Sequence, residues 1–275
     1  MQEFPHPLIV LDVNLSPFVD GIFVGFILST IFFGVTLLQA WNYALSNNDG
    51  WIMRTLVISL VGLDIATTSN NALLLHTYLI QHFGDLLGLT ETNVGFIVEL
   101  GLTTVAIFLV QLFFASRVYL LNQRGYRVVY AIVATACLGF VCSCFLLSKV
   151  ITHPEVADLT LPQLKVSFIL SQSLVTISDG ITTVVLSLNF MRARSESSIK
   201  NTISILERLL TAVVARGALV TLSNLILVLL YIFYPMKLYW LAVQLMQSKL
   251  YIITMIAMYA SSSAPILPRI PNLSS

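Results

Sequence analysis

Seven stretches of this sequence, roughly 20–45, 52–80, 93–121, 128–150, 163–191, 204–233 and 238–260, are each a run of twenty or more mostly apolar residues. A helix of about 20 residues crosses the roughly 30 Å hydrocarbon core of a bilayer. Backbone polar groups find no water in lipid, so spanning segments are helices or closed barrels. Barrel strands need only about 9–11 residues, and these stretches are far longer. The expectation is therefore all-α: a polytopic membrane protein built as a seven-transmembrane-helix bundle. Residues 1–19 form an N-terminal segment, 20–260 the transmembrane domain and 261–275 a short tail.

Composition agrees. Only 10% of the residues are charged and 57% are hydrophobic, whereas a soluble domain carries about 25% charged residues. That is too few to build a surface facing water. A net charge of +1 and the lack of a dense basic run argue against a nucleic-acid partner. Cys137, Cys142 and Cys144 share one apolar segment; they read as small apolar fillers rather than as a disulfide or a metal site. The N-terminus has no basic n-region, so the first apolar helix is expected to act as its own uncleaved insertion signal.

The nine prolines, at 5, 7, 17, 154, 162, 235, 265, 268 and 271, all fall in tails, connectors or helix ends. The connectors read "SNNDG" (46–50), "GDLLGLTET" (84–92), "THPEVADLTLP" (152–162) and "YPMK" (234–237). Trp41, Trp51 and Trp240 sit at span ends, where an interfacial aromatic belt belongs. With the N-terminus outside, Arg54, Arg117, Arg124, Arg127, Arg192, Arg194, Lys200, Arg208 and Arg269 lie on the cytoplasmic side; Lys149, Lys165 and Lys237 lie outside. The positive-inside rule then gives N-out, C-in. A sequon at Asn14 would face outward, although Pro17 follows it. Gly21, Gly25 and Ser29 form a small-residue ridge that lets another helix approach the first one closely.

Five charges fall inside the spans: Asp64, Glu99, Asp179, Arg216 and Lys249. Each costs about 2.5–3.5 kcal/mol at bilayer centre on insertion scales, so they must face one another or a wet cavity. Helical spacing groups them with other polar residues. Gln172, Thr176, Asp179 and Thr183 form one stripe; Asp64, Thr68 and Asn71 form a second. Glu99 shares a face with Thr103, and Arg216 with Ser223. By depth, Arg216 is expected to pair with Asp64 or Asp179, and Lys249 with Glu99 or Asp179. Three roles are open to this interior: a structural network, an outward-opening ligand pocket, or an ion or proton path. A transporter or channel is disfavoured by the absence of visible repeats and of mid-span breaks.

A lysine midway along a seventh helix is where rhodopsins hold retinal, and Glu99 would be its counter-ion. Leu245 stands where microbial pigments carry an acid, and the third span lacks their paired acids. A zinc hydrolase would need converging histidines; His76, His82 and His153 lie toward the same side but are not grouped by spacing. No cofactor and no metal are expected.

"VQLFFASRVYLL" (110–121), "SIKNTISILERLLTAVVARGALVTLSNLILVLLYIFYP" (198–235) and "SKLYIITMIAMYA" (248–260) resemble a large fungal family, mainly of basidiomycetes, with a seven-helix transmembrane domain of unknown function. Phe113, Phe114, Arg117 and Val118 carry the helix-three motif, and Lys249 with Tyr251 the helix-seven pair. Many members continue that pair with Asn-Ser, where this chain has Ile252-Ile253. The resemblance implies architecture, not activity. Similarity to G-protein-coupled receptors is weaker: Ser116-Arg117-Val118-Tyr119 ends helix three and Asp64 sits on helix two, but the proline-centred motifs of helices six and seven and the disulfide joining helix three to the outer loop are missing.

The reading is a seven-helix protein of the plasma membrane or another secretory-pathway membrane. It is expected to sense a small molecule through a polar cavity lined by Asp64, Asn71, Glu99, Gln172, Asp179, Arg216 and Lys249. Arg117, Arg124, Arg127, Arg192 and Arg194 would offer a basic face to a cytoplasmic partner, or to anionic lipid.

Overall fold

A computed structural model describes residues 16–46, 50–81, 94–121, 126–152, 161–196, 200–235 and 239–263. Within them the chain is helical: α1 (Ser16–Ser46), α2 (Trp51–His76, continued by a π-helical turn Thr77–Gln81), α3 (Val94–Leu121), α4 (Tyr126–Thr152), α5 (Pro162–Glu196), α6 (Lys200–Phe233) and α7 (Tyr239–Ser263). All seven are long and apolar enough to cross a membrane. The expected spans and the helices differ by a few residues at their ends, as frayed and polar terminal turns dictate. Asn14, Arg124, His82 and His153 lie outside the described residues, as do most of the N-terminal segment and the tail.

The helices alternate in direction. One buried apolar cluster combines the beginnings of α1, α3, α5 and α7 with the ends of α2, α4 and α6, from Ile22, Phe96, Phe168 and Leu241 to Leu74, Val150 and Tyr231. A second combines the opposite ends, including Tyr43, Leu60, Val118, Ile132, Phe190, Val213 and Met255. The first end is called here the N-face and the second the C-face. Successive helices pack side by side around the bundle, α7 closes the ring against α1, and α3 and α7 also meet across its middle.

Two glycines set the close crossings. A Cβ at Gly25 would lie 2.6 Å from the Ala242 Cα, so only glycine lets α1 approach α7 this far. This is the ridge legible in the sequence, used inside the bundle. At Gly217 on α6 a Cβ would lie 2.3 Å from Thr183 Cγ2 on α5. Polarity is inverted relative to a soluble protein: Leu38, Leu45, Ile58, Leu73, Tyr130 and Val184 face outward. Lipid is the solvent that suits such a surface.

α7 is the exception. In the most apolar part of its span Tyr239–Met258, 72% of residues are buried, against 50% or less in every other span. A helix enclosed on nearly all sides can carry polar groups all round, because each side finds a protein partner rather than an acyl chain.

Trp41 and Trp51 are exposed near the C-face, in keeping with an interfacial belt. Trp240 is not part of that belt. It is buried; its Nε1 donates to the Pro235 carbonyl at 3.2 Å, and Phe96, Phe168 and Tyr231 surround its ring. Position at a span end predicted a wet indole. The inward rotation of α7 makes it a dry one.

Candidate functional site

Between the two apolar clusters lies a polar layer, and α7 supplies its densest part. Gln244, Gln247, Ser248 and Lys249 are all buried. Lys249 projects toward α2. Its Nζ lies 2.6 Å from Asp64 Oδ1 and donates to the hydroxyls of Thr67 (2.5 Å) and Thr68 (2.6 Å) and to the Asp64 carbonyl (2.9 Å). Asp64, Thr67 and Thr68 sit at i, i+3 and i+4, so a single turn of α2 builds the whole cage. The phenyl ring of Phe33 on α1 covers it, with its centroid 5.6 Å from the ammonium. Lys249 was expected to meet Glu99 or Asp179, and it meets neither as an ion-pair partner. Asp64 stands midway along α2, level with Lys249, because α2 starts at Trp51 and continues in a π-helical turn beyond His76.

Glu99 is held by neutral donors. Thr103 Oγ1 donates to its Oε1 at 3.1 Å. With its amide nitrogen turned toward α3, Asn71 donates to Oε2 at 2.7 Å; the opposite orientation would set oxygen against oxygen. Among the described residues no cation stands within ion-pair distance of Glu99.

The second network hydrogen-bonds three helices and rests on a fourth. Arg216 Nη2 on α6 donates to Asp179 Oδ1 on α5 at 2.9 Å, one of the two pairings expected. The Tyr251 hydroxyl on α7 donates to the other carboxylate oxygen and accepts from Asn224 Nδ2 at 3.4 Å. Gln247 in turn donates to Asn224. The guanidinium carbon lies over Phe114 of α3, 3.4 Å from the ring centroid, and 5.9 Å from that of Tyr251. Stacking of this kind suits a planar, weakly hydrated guanidinium rather than an ammonium. The Gly217–Thr183 crossing lets Arg216 reach its partner.

Sequence reasoning placed Ser223 beside Arg216. The structure instead buries Asn224, while Ser223 bonds back to the Val220 carbonyl of its own helix. The buried stripe of α6 runs Arg216, Val220, Asn224, Leu227 and Tyr231, spacing that a helical projection contains. Tyr251, Asn224, Thr67 and the glutamines of α7 were the site residues missed. The clustering of Gln, Ser, Lys and Tyr in one apolar helix was their signal.

The five charges thus form two ion pairs plus one neutral-bonded carboxyl. Beside Gln172 and Gln244 a cavity of about 20 Å³ is bounded by Thr103, Gln111, Ser143 and Val175. That holds about one water and no organic molecule. The Gln244 carbonyl oxygen has no partner among the described residues. Toward the N-face, Phe96, Phe168, Tyr231 and Trp240 close the bundle with edge-on and tilted rings.

Arg117, Arg127, Arg192 and Arg194 all lie at the C-face, on the ends of α3 and α5 and the start of α4. Arg117 lies over Phe113. Arg194 pairs with Glu207 at 2.7 Å with both side chains about half exposed, an arrangement worth at most about 1 kcal/mol. Cys137 and Cys144 are exposed on the outer surface of α4. Among the described residues no group of three or more His, Cys, Asp or Glu is placed to hold a metal ion.

These features define an integral membrane protein, a seven-helix bundle with a charged interior. Residues 175–262 match a family described as "Family of unknown function (DUF6534)". The match covers most of α5 with α6 and α7, less than half of the chain, and includes Asp179, Arg216, Asn224, Lys249 and Tyr251. No curated protein matches the chain, and no solved structure does.

Proposed function

We propose that the protein is a receptor-like sensor, oriented N-out and C-in in the plasma membrane or another secretory-pathway membrane, and that it belongs to the fungal family its helix-three and helix-seven motifs resemble. A small molecule acts from the N-face on the polar layer of Asp64, Asn71, Glu99, Gln172, Asp179, Arg216 and Lys249. The arginines at the C-face, Arg124 included, pass the change to a cytoplasmic partner. Domain limits follow the sequence reading: 1–19 outside, 20–260 in the membrane and 261–275 inside.

One observation supports this reading: α7 is held by two separate buried charge networks, one to α2 and one to α5 and α6. Replacing a buried ion pair with packed apolar residues is often neutral or stabilising. Stability alone is therefore a poor reason for two such pairs. The better-attested uses are register and switching between packings, and a helix anchored on both sides is suited to shift between them. The basic residues collected at the C-face support the orientation.

A second reading is favoured by the closure of the layer. Four of the five charges are ion-paired, Glu99 is hydrogen-bonded, and all are buried beneath an aromatic cluster, as a purely structural lock would have them. Hydrogen–deuterium exchange of the wild type and of Asp64→Leu/Lys249→Met in lipid nanodiscs separates the two. A sensor whose balance is set by the pair shows changed protection in α7 and at the C-face ends of α5 and α6, with the fold intact. Unchanged exchange in those segments, with lowered thermal stability, would leave only the lock.

A further inference from the structure

The α1–α2 seam is open on its lipid side at the C-face. A groove of about 530 Å³ runs there, with Tyr43 and Val57 as its floor and Ala40, Ala44 and Gly62 leaving its walls low. On α2, Arg54, Ile58, Gly62 and Ile65 fall at i, i+4, i+8 and i+11 along it. Eleven residues rise about 16 Å, which is about half the hydrocarbon thickness. The groove is therefore one leaflet deep. It begins at the level of the exposed Trp41 and Trp51, where headgroups lie.

We infer that this groove is a binding site for one phospholipid with an anionic headgroup: an acyl chain lies along Ala44, Val57 and Gly62, and the phosphate meets Arg54. Charge complementarity selects the occupant. The groove is apolar along its length and carries a single guanidinium at its headgroup end. A guanidinium has five donors and matches phosphate with two of them, so it holds a lipid alongside a protein partner. Arg54 also stands in the first turn of α2, where Gly50 offers no side chain as a cap and the helix dipole favours an anion. A second copy of the chain would bring another apolar helix to the groove, but nothing on such a helix is called for by Arg54. The inference is independent of the sensor reading, although the orientation proposed above would put the groove in the cytoplasmic leaflet, where anionic lipid is concentrated.

Gly62 makes the groove testable, since a Cβ built there meets nothing within 4 Å. Gly62→Leu sets a branched side chain into the groove from a Cβ that touches no protein atom. Native mass spectrometry of the full chain, offered equal phosphatidylserine and phosphatidylcholine of identical acyl chains, reads the site. The wild type should retain one phosphatidylserine in preference to phosphatidylcholine. Arg54→Gln should lower that adduct about tenfold, equivalent to losing about 1.4 kcal/mol, with Arg54→Lys intermediate. Gly62→Leu should remove it for either headgroup at unchanged Tm. Equal adducts in all four proteins, or no headgroup preference in the wild type, overturns the inference. So does a wild-type dimer without bound lipid that Gly62→Leu breaks, which would assign the groove to a second copy. Should Gly62→Leu fail to fold, the Arg54 pair alone decides, because both of its members change an exposed side chain.

Discussion

The two charge networks on α7 solve one problem with different chemistry. Lys249 presents a point charge to a cage made by one turn of α2, two hydroxyls and a carbonyl surrounding the Asp64 carboxylate's partner. Arg216 presents a plane, stacked on Phe114 and bonded to an aspartate that Tyr251 also holds. The first is local and joins two helices. The second needs α3, α5, α6 and α7 together. Without the Asp64 carboxylate, Lys249 keeps two hydroxyls and a carbonyl as acceptors, whereas without Asp179 Arg216 keeps no hydrogen-bond acceptor among the described residues. The Arg216 side is therefore the more expensive of the two to break.

The largest expected effect follows from that asymmetry. Asp179→Leu strands a permanent cation and should destabilise the bundle by about 3–5 kcal/mol, measured by reversible unfolding in bicelles. Asp64→Leu should lose less, about 2 kcal/mol, because the Thr67 and Thr68 hydroxyls and the backbone carbonyl of residue 64 still accept from Lys249. Equal deficits would erase the distinction between the networks.

Tyr251→Phe sharpens the comparison at smaller scale. It removes one donor from Asp179 and one acceptor from Asn224, a loss of about 1.5–3 kcal/mol for a bond to a charged group. Thr68→Val removes one of four oxygen contacts to Lys249 and should cost about 1 kcal/mol. A Thr68→Val loss larger than that of Tyr251→Phe would show that the cage, not the relay, holds α7.

The spans were legible because hydropathy over about 20 residues is a property of the segment alone. So was the membership of the interior: Asp64, Glu99, Asp179, Arg216 and Lys249 are all buried, since lipid leaves a charge nowhere else to go. The pairing was only half legible. Arg216 could be assigned to two acids by depth, and the structure chose Asp179 because glycine at 217 lets α5 and α6 touch. Lys249 went to Asp64 because α7 turns that face toward α2, a rotation fixed by Gly25 against Ala242 and by the burial of Trp240. Such rotations come from tertiary packing, which one-dimensional spacing does not contain. The same rotation closed the N-face with Trp240, where an interfacial indole had been expected.

The central claim is that the interior holds two energetically separate ion pairs, Lys249 with Asp64 and Arg216 with Asp179, the first anchoring α7 directly and the second through Tyr251. Double-mutant cycles on unfolding free energy in one lipid environment test it most directly, using Asp64→Leu with Lys249→Met, Asp179→Leu with Arg216→Met, and the cross pair Lys249→Met with Arg216→Met. Coupling should be at least about 2 kcal/mol within each pair and within about 0.5 kcal/mol of zero across them. Negligible coupling inside either pair, or coupling across the two as large as within them, would contradict it.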